Sequence, residues 1–262
     1  MQAWQEESYV RDQQRINWRT YVTCDVMISN VQNWVRTPYI PRGAAQRLFV
    51  ELKFTMRDCA HFKGAAKTCK ETFSLYAYES EVDFATPSLP TWSERTYTLV
   101  DRIAGDKGRF SSRGAEEPED AANTEIRSIP ISKSGVYFAF MDEGSCTSLL
   151  AVKVYYKVCD AVTAGFAYFP ETPTNAEQYS LLKVTGECVP NASPTSADAS
   201  RVAHYLCKAD GTWEHLIYPC QCNAGYYPLG QKCIPSKRER TDCRCCTLKR
   251  LGSTGIECMN EM

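Results

Sequence analysis

Apolar and polar residues alternate strictly in one stretch of the first half of the chain. Residues 48–58, LFVELKFTMRD, place Val50, Leu52, Phe54 and Met56 on one face of an extended backbone and charged or hydroxyl side chains on the other. A period of two residues is typical of a β-strand with one buried face. The pattern therefore predicts a half-buried strand here.

Other short stretches have the same character and are separated by turn-rich segments. The further predicted strands are 69–80, 95–104, 135–140 (Val136, Phe138 and Phe140 on one face) and 150–158 (Leu150, Val152, Val154, Tyr156 and Val158 on one face). No long amphipathic helix competes with them, so the fold class is all-β with antiparallel pairing, as a sandwich or jelly roll. Residues 105–122 are glycine-rich and then acidic, which predicts a long exposed loop.

The cysteines divide the chain unevenly. Four of the fourteen precede residue 158, and ten lie between Cys159 and Cys258. Dense cysteine is typical of modules too small to build a sufficient apolar core. We therefore expect a large domain over 1–158, a small disulfide-rich module over 159–221, and a second one over 222–262 that ends in a cysteine-rich tail of unassigned pairing.

Charge and cysteine usage limit the compartment and the partners. The formal net charge is −1, which points neither to nucleic acid nor to direct membrane contact. An even cysteine count is typical of an oxidising, extracellular location. The first twenty residues lack the apolar segment of a secretory signal, and no apolar window could span a membrane. We therefore expect a fragment or an incomplete gene model, with its N-terminal edge truncated.

Candidate catalytic chemistry is sparse. Cysteine catalysis needs a thiolate with a histidine in reach, and only His61, His204 and His215 are available, each in or beside a cysteine-dense segment. The tail cysteines have the spacing C-x-C-C-x11-C, which departs from the paired spacing of zinc sites. No phosphate loop or nucleophile elbow is present. The sequence predicts no enzyme, no metal and no cofactor, although a carbohydrate-binding or hydrolytic jelly roll stays open as an alternative.

Two motifs in the second half resemble small extracellular modules. Residues 159–220 read C-x28-C-x18-C-x12-C with Trp213 between the last two cysteines, which resembles a sushi module. That resemblance implies the pairs Cys159–Cys207 and Cys188–Cys220, whereas spacing alone leaves three connectivities open. The next segment, CQCNAGYYPLGQKC, resembles the start of an epidermal-growth-factor-like unit, in which Cys222 pairs with Cys233.

Longer stretches carry a more specific resemblance. They include RTYVTCDV around Cys24, NWVRTPYIPRGAAQRLFVELKFTMRDC, TCKETFSLYAYES, NTEIRSI, SKSGVYFAFMDEGSC and LLAVKVYYKVC. Residues 19–159 thereby resemble the ligand-binding domain of the Eph receptor tyrosine kinases. The resemblance implies an antiparallel jelly-roll sandwich with disulfides Cys24–Cys146 and Cys59–Cys69. The second would close a short loop in which Gly64 supplies the turn.

The resemblance also implies a ligand site. In that family a loop of the ephrin enters an apolar channel beside the first disulfide, and an arginine of the R-D-C motif meets an acidic ligand residue. Arg57 occupies that position here. The remaining site residues implied by the motifs are Thr55 beside Arg57, Thr23, Asp25 and Val26 on the channel rim, and Ser148 and Leu150 on its floor.

The expected function follows from this site. We expect an extracellular receptor head that binds an ephrin on an opposing cell, clusters with other receptor copies, and in the full-length protein signals through a cytoplasmic kinase from the plasma membrane. A secreted decoy that sequesters ephrin is the alternative. Asn191 begins the glycosylation sequon Asn191-Ala192-Ser193, and Pro194 directly after it opposes its use.

Overall fold

The chain folds as two compact units. The computed structural model describes residues 4–11, 16–62, 64, 66–105, 122–196, 198 and 201–236. The first unit comprises Met1–Ala161, Pro170–Val184 and Tyr205–His215, and the second comprises Val162–Phe169, Thr185–His204 and Leu216–Met262. Within the described ranges, no helix is long and apolar enough to cross a membrane.

Two antiparallel sheets pack face to face in the first unit. Its strands are β1 (Gln5–Arg11), β2 (Ile16–Cys24), β3 (Asn33–Arg36), β4 (Ile40–Pro41), β5 (Arg47–Met56), β6 (Thr72–Ser80), β7 (Thr98–Ala104), β8 (Asn123–Pro130), β9 (Gly135–Asp142) and β10 (Cys146–Tyr155). One sheet has the order β1-β2-β10-β5-β8, and the other has β3-β9-β6-β7 with β4 on β9. A 3₁₀ turn, Cys59–Phe62, follows β5. The all-β prediction and the jelly-roll sandwich are confirmed.

Strand β5 supplies the centre of the apolar core. Its buried positions alternate as the sequence predicted, with Val50, Leu52, Phe54 and Met56 facing inward. Phe54 meets Phe73 of β6 edge to face, with ring centroids 5.0 Å apart. Each fully buried side chain of this size contributes roughly 1.5–3 kcal/mol relative to exposure. The core therefore fixes which face of β5 remains available outside.

Strand β9 is buried on both faces. Val136, Phe138 and Phe140 face the core as predicted, but every residue of β9 is buried. On its outer face, Ala139 and Met141 form a second cluster with Tyr76 and Tyr97, and Trp34, Tyr78 and Trp92 pack against this cluster. The sequence pattern indicated only the core-facing side of β9, because the aromatic residues that pack on its other side are distant in the chain.

Arg36 holds the covering segment 81–97 in place. Its guanidinium donates hydrogen bonds to the carbonyls of Leu89 (2.8 Å) and Thr86 (2.9 Å). The same group lies 4.7 Å from the ring centroid of Trp92 and 5.4 Å from that of Tyr137. One cation thus satisfies two loop carbonyls and stacks on two rings, which fixes the segment against the sheet.

A β-bulge changes the phase of β10. Leu149 lies opposite Phe54 and Ala151 lies opposite Lys53, so Leu150 has no partner in register. Leu149 is therefore the core residue, and the predicted grouping of Leu150 with Val152 and Val154 is wrong. The strand also ends at Tyr155, which leaves Tyr156 40% exposed.

A buried polar cluster closes one end of the sandwich. The side-chain amide of Asn33 donates to the Asp25 carboxylate (2.7 Å) and the Thr23 hydroxyl (3.1 Å). The Thr23 hydroxyl donates to the Asp142 carboxylate (3.3 Å). The backbone amide and hydroxyl of Ser145 donate to the other Asp142 oxygen at 2.7 and 2.6 Å. All five residues are buried, beside the Cys24–Cys146 disulfide. We call these five residues the polar cluster.

Part of the predicted sushi-like module belongs to the first unit. The Arg47 Nε donates to the Ala176 carbonyl at 2.6 Å, and the Thr174 backbone amide donates to the Lys157 carbonyl at 3.0 Å. Trp213 donates from its ring nitrogen to the Asp160 carbonyl at 2.7 Å. These contacts hold residues 170–184 and 205–215 in the first unit. Residues 162–169, 185–204 and 216–221 belong to the second unit.

Short strands make up the rest of the described chain. They are Val158–Cys159, Val162–Ala164, Ala167–Phe169, Thr172–Pro173, Leu181–Thr185, Glu187–Cys188, Ala192–Pro194, His204–Lys208, Trp213–Ile217, Cys220–Cys222, Tyr226–Leu229 and Lys232–Pro235. In the second unit Phe169 is fully buried, and a Cβ on Gly186 would lie 2.5 Å from its ring. Glycine is therefore required where this small core meets the backbone.

Five disulfides join the ten cysteines of the described residues. The pairs are Cys24–Cys146, Cys59–Cys69, Cys159–Cys207, Cys188–Cys220 and Cys222–Cys233, which coincide with those that the family and module resemblances imply. Residues 106–121 of the predicted loop 105–122 lie outside the described residues, as do the tail cysteines Cys243, Cys245, Cys246 and Cys258.

The open edge of the sandwich carries a charged clamp. Arg127 of β8 bonds Asp101 of β7, on the other sheet, and Glu125 at 2.7 Å. The hydrogen bond from Arg127 holds the pKa of Asp101 below its usual range. Asp101→Asn is expected to lower the free energy of unfolding at pH 7 by up to about 1 kcal/mol, because partly exposed ion pairs are screened by solvent.

The pH dependence of this clamp has a definite sign. A carboxyl whose pKa is lowered on folding stabilises fully above its unfolded-state pKa of about 3.9, and this stabilisation is lost as the pH falls through the folded-state pKa. Denaturant unfolding at pH 7 and pH 3 should show the wild type and Asp101→Asn converging at the lower pH. Glu51→Gln, which neutralises a half-buried carboxylate on β5, serves as control; a constant difference between wild type and Asp101→Asn at both pH values contradicts the assignment.

The polar cluster should be costly to break. Asn33→Ala removes the donor for Asp25 and Thr23 and leaves buried polar groups unsatisfied, so we expect a loss of about 3 kcal/mol in the free energy of unfolding. Gln32→Ala, at the exposed neighbouring position, should change it by less than about 0.5 kcal/mol. Equal effects of the two substitutions in denaturant unfolding would contradict the role of Asn33.

Candidate functional site

Three strand ends meet at the disulfide end of the sandwich. Cys24 at the end of β2 pairs with Cys146 at the start of β10, and Thr147 pairs with Met56 at the end of β5. The Arg57 amide donates to the Cys146 carbonyl at 2.9 Å. The segments that follow β2 and β5 therefore leave the sheet from the same end, next to one disulfide.

A row of three neighbouring residues crosses the outer face of this sheet. Ser148 lies opposite Val22 of β2 on one side and opposite Thr55 of β5 on the other. These positions alternate with the inward-facing Thr147 and Phe54, so they point away from the core. The structure thus brings together Thr55 and Ser148, two of the predicted ligand residues, with Val22 completing the row.

Arg57 follows this row and is exposed. Within the described part of the chain its guanidinium makes no ion pair, and its backbone amide holds the residue to Cys146. Its charge is therefore available to an incoming carboxylate. Lys53, two positions before Thr55 on the same face of β5, is exposed in the same way and provides a comparison.

The three residues predicted for the channel rim are buried inside the fold. Thr23 and Asp25 are members of the polar cluster, and their polar atoms bond Asn33 and Asp142 inside the fold. Val26 is buried, and its carbonyl accepts hydrogen bonds from the loop that follows β5. These three residues support the end of the sandwich from within. Leu150, in the bulge of β10, is half-buried.

Sequence reasoning missed two neighbouring apolar residues. Met27 and Ile28 follow directly on Val26 and are 53% and 49% exposed. They lie in the segment 25–32 between β2 and β3, which begins at the Cys24–Cys146 disulfide. The available signal was an adjacent apolar pair inside a turn-rich segment, but strand periodicity does not select such residues. Their exposure adds an apolar element next to the strand ends.

The described residues assemble no catalytic constellation. Their cysteines are all disulfide-bonded, so they offer no free thiol. His61 is exposed on the 3₁₀ turn, His204 is buried with its Nδ1 3.2 Å from the Thr185 hydroxyl, and His215 is exposed beside Glu214. No group of three or more metal-ligating side chains occurs in these residues. The site's chemistry is that of a cation, hydroxyl groups and exposed apolar side chains.

Comparison with known families covers most of the chain. Residues 1–159 match the family model described as "Ephrin receptor ligand binding domain", and residues 160–222 match the one described as "Ephrin cysteine rich domain". Both models describe extracellular receptor modules and not enzyme domains. The matched residues are therefore not themselves an enzyme.

Individual relatives agree with these matches. The chain is 46% identical over 223 residues to ephrin type-B receptor 3 of Xenopus laevis, which covers 84% of this chain and 22% of that receptor. It is 44% identical over 215 residues to the human receptor of that name, covering 82% and 21%, and 42% identical over 237 residues to ephrin type-A receptor 7 of Gallus gallus, covering 90% and 23%. The chain thus spans about a fifth of the length of these receptors, and it belongs to the ephrin receptor family through its ligand-binding and cysteine-rich domains.

Proposed function

We propose that this chain binds ephrins through the outer face at the disulfide end of its sandwich. The observation that carries the proposal is the exposed Arg57 guanidinium, which has no ion-pair partner among the described residues. It follows directly on the strand that contributes Thr55 to the row with Ser148. A rigid core and two disulfides fix the strands beneath this surface.

The arrangement suits an inserted protein loop with one carboxylate and one apolar anchor. Arginine presents a planar fork of donors that binds a carboxylate through two hydrogen bonds. Met27 and Ile28 offer exposed apolar surface, and apolar anchors at the centre of an interface commonly dominate its affinity. Thr55, Ser148 and Leu150 would form the floor, while Thr23, Asp25 and Val26 would act by holding the rim from inside.

The full-length protein is proposed to be a contact receptor at the plasma membrane. Ephrin on an opposing cell would bind the head, receptor copies would cluster, and a cytoplasmic kinase would transmit the signal during cell guidance. A secreted form that sequesters ephrin is the alternative. Coding sequence beyond residue 262 separates the two, since an in-frame membrane span and kinase would eliminate the decoy.

Arg57→Glu is expected to weaken ephrin binding at least about 100-fold, because it replaces an attraction to a carboxylate with repulsion between like charges. Binding should be measured by calorimetry or surface plasmon resonance against ephrin ectodomains of the A and B classes. Lys53→Glu is the matched control, since it makes the same charge reversal on the same face of β5. We expect it to change affinity less than about 3-fold.

Two results would contradict this site. Equal losses from Arg57→Glu and Lys53→Glu would mean that a general charge effect and not a specific contact governs binding. Wild-type protein that binds neither class of ephrin would contradict the function, and a glycan array would then test the carbohydrate-binding alternative.

Asn191 is proposed to be glycosylated. It is exposed at the turn before Ala192–Pro194, and its Nδ2 lies 3.5 Å from the Cys233 carbonyl, a weak contact that a glycan can replace. Secreted wild-type protein should lose mass on treatment with an N-glycosidase, whereas Asn191→Gln should show no change. Ser193→Ala, which removes the sequon and keeps the asparagine, should behave like Asn191→Gln. An unchanged wild-type mass would show that Pro194 prevents use of the sequon.

A further inference from the structure

We propose that Thr68 is a positioning residue of the ephrin site, which it serves without contacting the ligand. It lies in the segment that follows β5, between Cys59 and Thr72, and its role would be to hold the exposed pair Met27 and Ile28 in one conformation. This inference rests on the proposed function, because it concerns the affinity of the same site.

Thr68 contacts the 25–32 segment twice. Its hydroxyl donates to the Ile28 carbonyl at 2.8 Å, and its backbone amide donates to the Val26 carbonyl at 3.1 Å. The neighbouring Lys67 amide donates to the same Val26 carbonyl at 2.9 Å. These bonds fix the carbonyls on both sides of Met27, which leaves its side chain and that of Ile28 pointing outward in a defined arrangement.

Of these three hydrogen bonds, only the one donated by the Thr68 hydroxyl can be removed by changing a side chain. The two bonds to Val26 come from backbone amides and persist whatever side chain is present. Inside the 25–32 segment itself, the Ile28 amide bonds the Asp25 carbonyl at 3.3 Å, which is long for a hydrogen bond of this type. The Ile28 carbonyl therefore depends on Thr68 for its fixed position.

Thr68 is itself held on a fixed base. The Cys59–Cys69 disulfide closes the segment immediately after it. Lys70 donates from its amide to the Gly144 carbonyl at 3.0 Å, and its ammonium lies 3.0 Å from a Glu143 carboxylate oxygen. A Cβ on Gly144 would lie 3.0 Å from the Thr68 hydroxyl, so glycine allows the close approach. Three segments are thus joined with Thr68 at their meeting point.

The hydrogen bond from the Thr68 hydroxyl to Ile28, which we call the brace, would act by reducing the free-energy cost of ordering the 25–32 segment on binding. A ligand that packs on Met27 and Ile28 must otherwise order this segment, and ordering a loop lowers the observed affinity. Removing one hydrogen bond to a solvent-accessible carbonyl is expected to weaken binding about 3- to 10-fold. The effect should be smaller than that of Arg57→Glu, which removes a direct contact.

The test compares Thr68→Val with Thr68→Ser. Valine keeps the branched shape but has no hydroxyl, whereas serine keeps the hydroxyl. We expect Thr68→Val to weaken binding of the ephrin ectodomain that wild type binds best by about 3- to 10-fold, and to speed amide hydrogen exchange in residues 25–30. Thr68→Ser should restore both values to within about 2-fold of wild type, with the midpoint of unfolding unchanged in both variants.

Each outcome has a defined meaning. Unchanged affinity of Thr68→Val in a protein that loses binding on Arg57→Glu overturns the positioning role and leaves the ephrin site intact. Equal losses in Thr68→Val and Thr68→Ser would also overturn it, because the hydroxyl would then not be responsible. If wild type binds no ephrin, the proposed function and the role in affinity both fail, and the exchange measurement still decides whether the brace exists.

Discussion

The polar cluster at one end of the sandwich is the constraint on which the candidate site depends. Asp142 at the end of β9 receives hydrogen bonds from Thr23 of β2 and from Ser145 before β10, so it joins strands of both sheets. Buried carboxylates are tolerated only when hydrogen-bonded, and Asn33 satisfies Asp25 in the same cluster. The Cys24–Cys146 disulfide then locks the arrangement covalently. Apolar packing alone would hold the sheets together without fixing this end so specifically.

The candidate site is built on the outside of that fixed end. On β5 and β10 the inward-facing residues Phe54, Thr147 and Leu149 are buried inside this end, whereas Thr55 and Ser148 face outward and form the outer row. Because side chains alternate along a strand, the core residues and the candidate-site residues occupy opposite faces of the same backbone. Loops that start from a rigid end can vary in sequence while their anchors stay in place, which is how binding sites on β scaffolds usually diversify.

The rest of the chain follows the same division between rigid support and exposed loops. Arg36 and the rings around it cover the outer face of the second sheet. The small modules rely on disulfides, since strands of two to five residues bury little apolar area. Part of their sequence packs within the first unit.

The sequence by itself determined five strands of the first unit (β5, β6, β7, β9 and β10), the core face of β5 and, through motif resemblance, the family and the role proposed for Arg57. Periodicity carries this information because burial on one face requires a repeat of two residues. Only the tertiary structure decided the inward placement of Thr23 and Asp25, the bulge at Leu150 and the outward placement of Met27 and Ile28. A polar side chain is predicted to be exposed unless its buried partner is known. For Thr23 the partners are Asn33 and Asp142, which lie 10 and 119 residues away. Long-range contacts of this kind leave no local pattern, which is why the site's geometry required the fold.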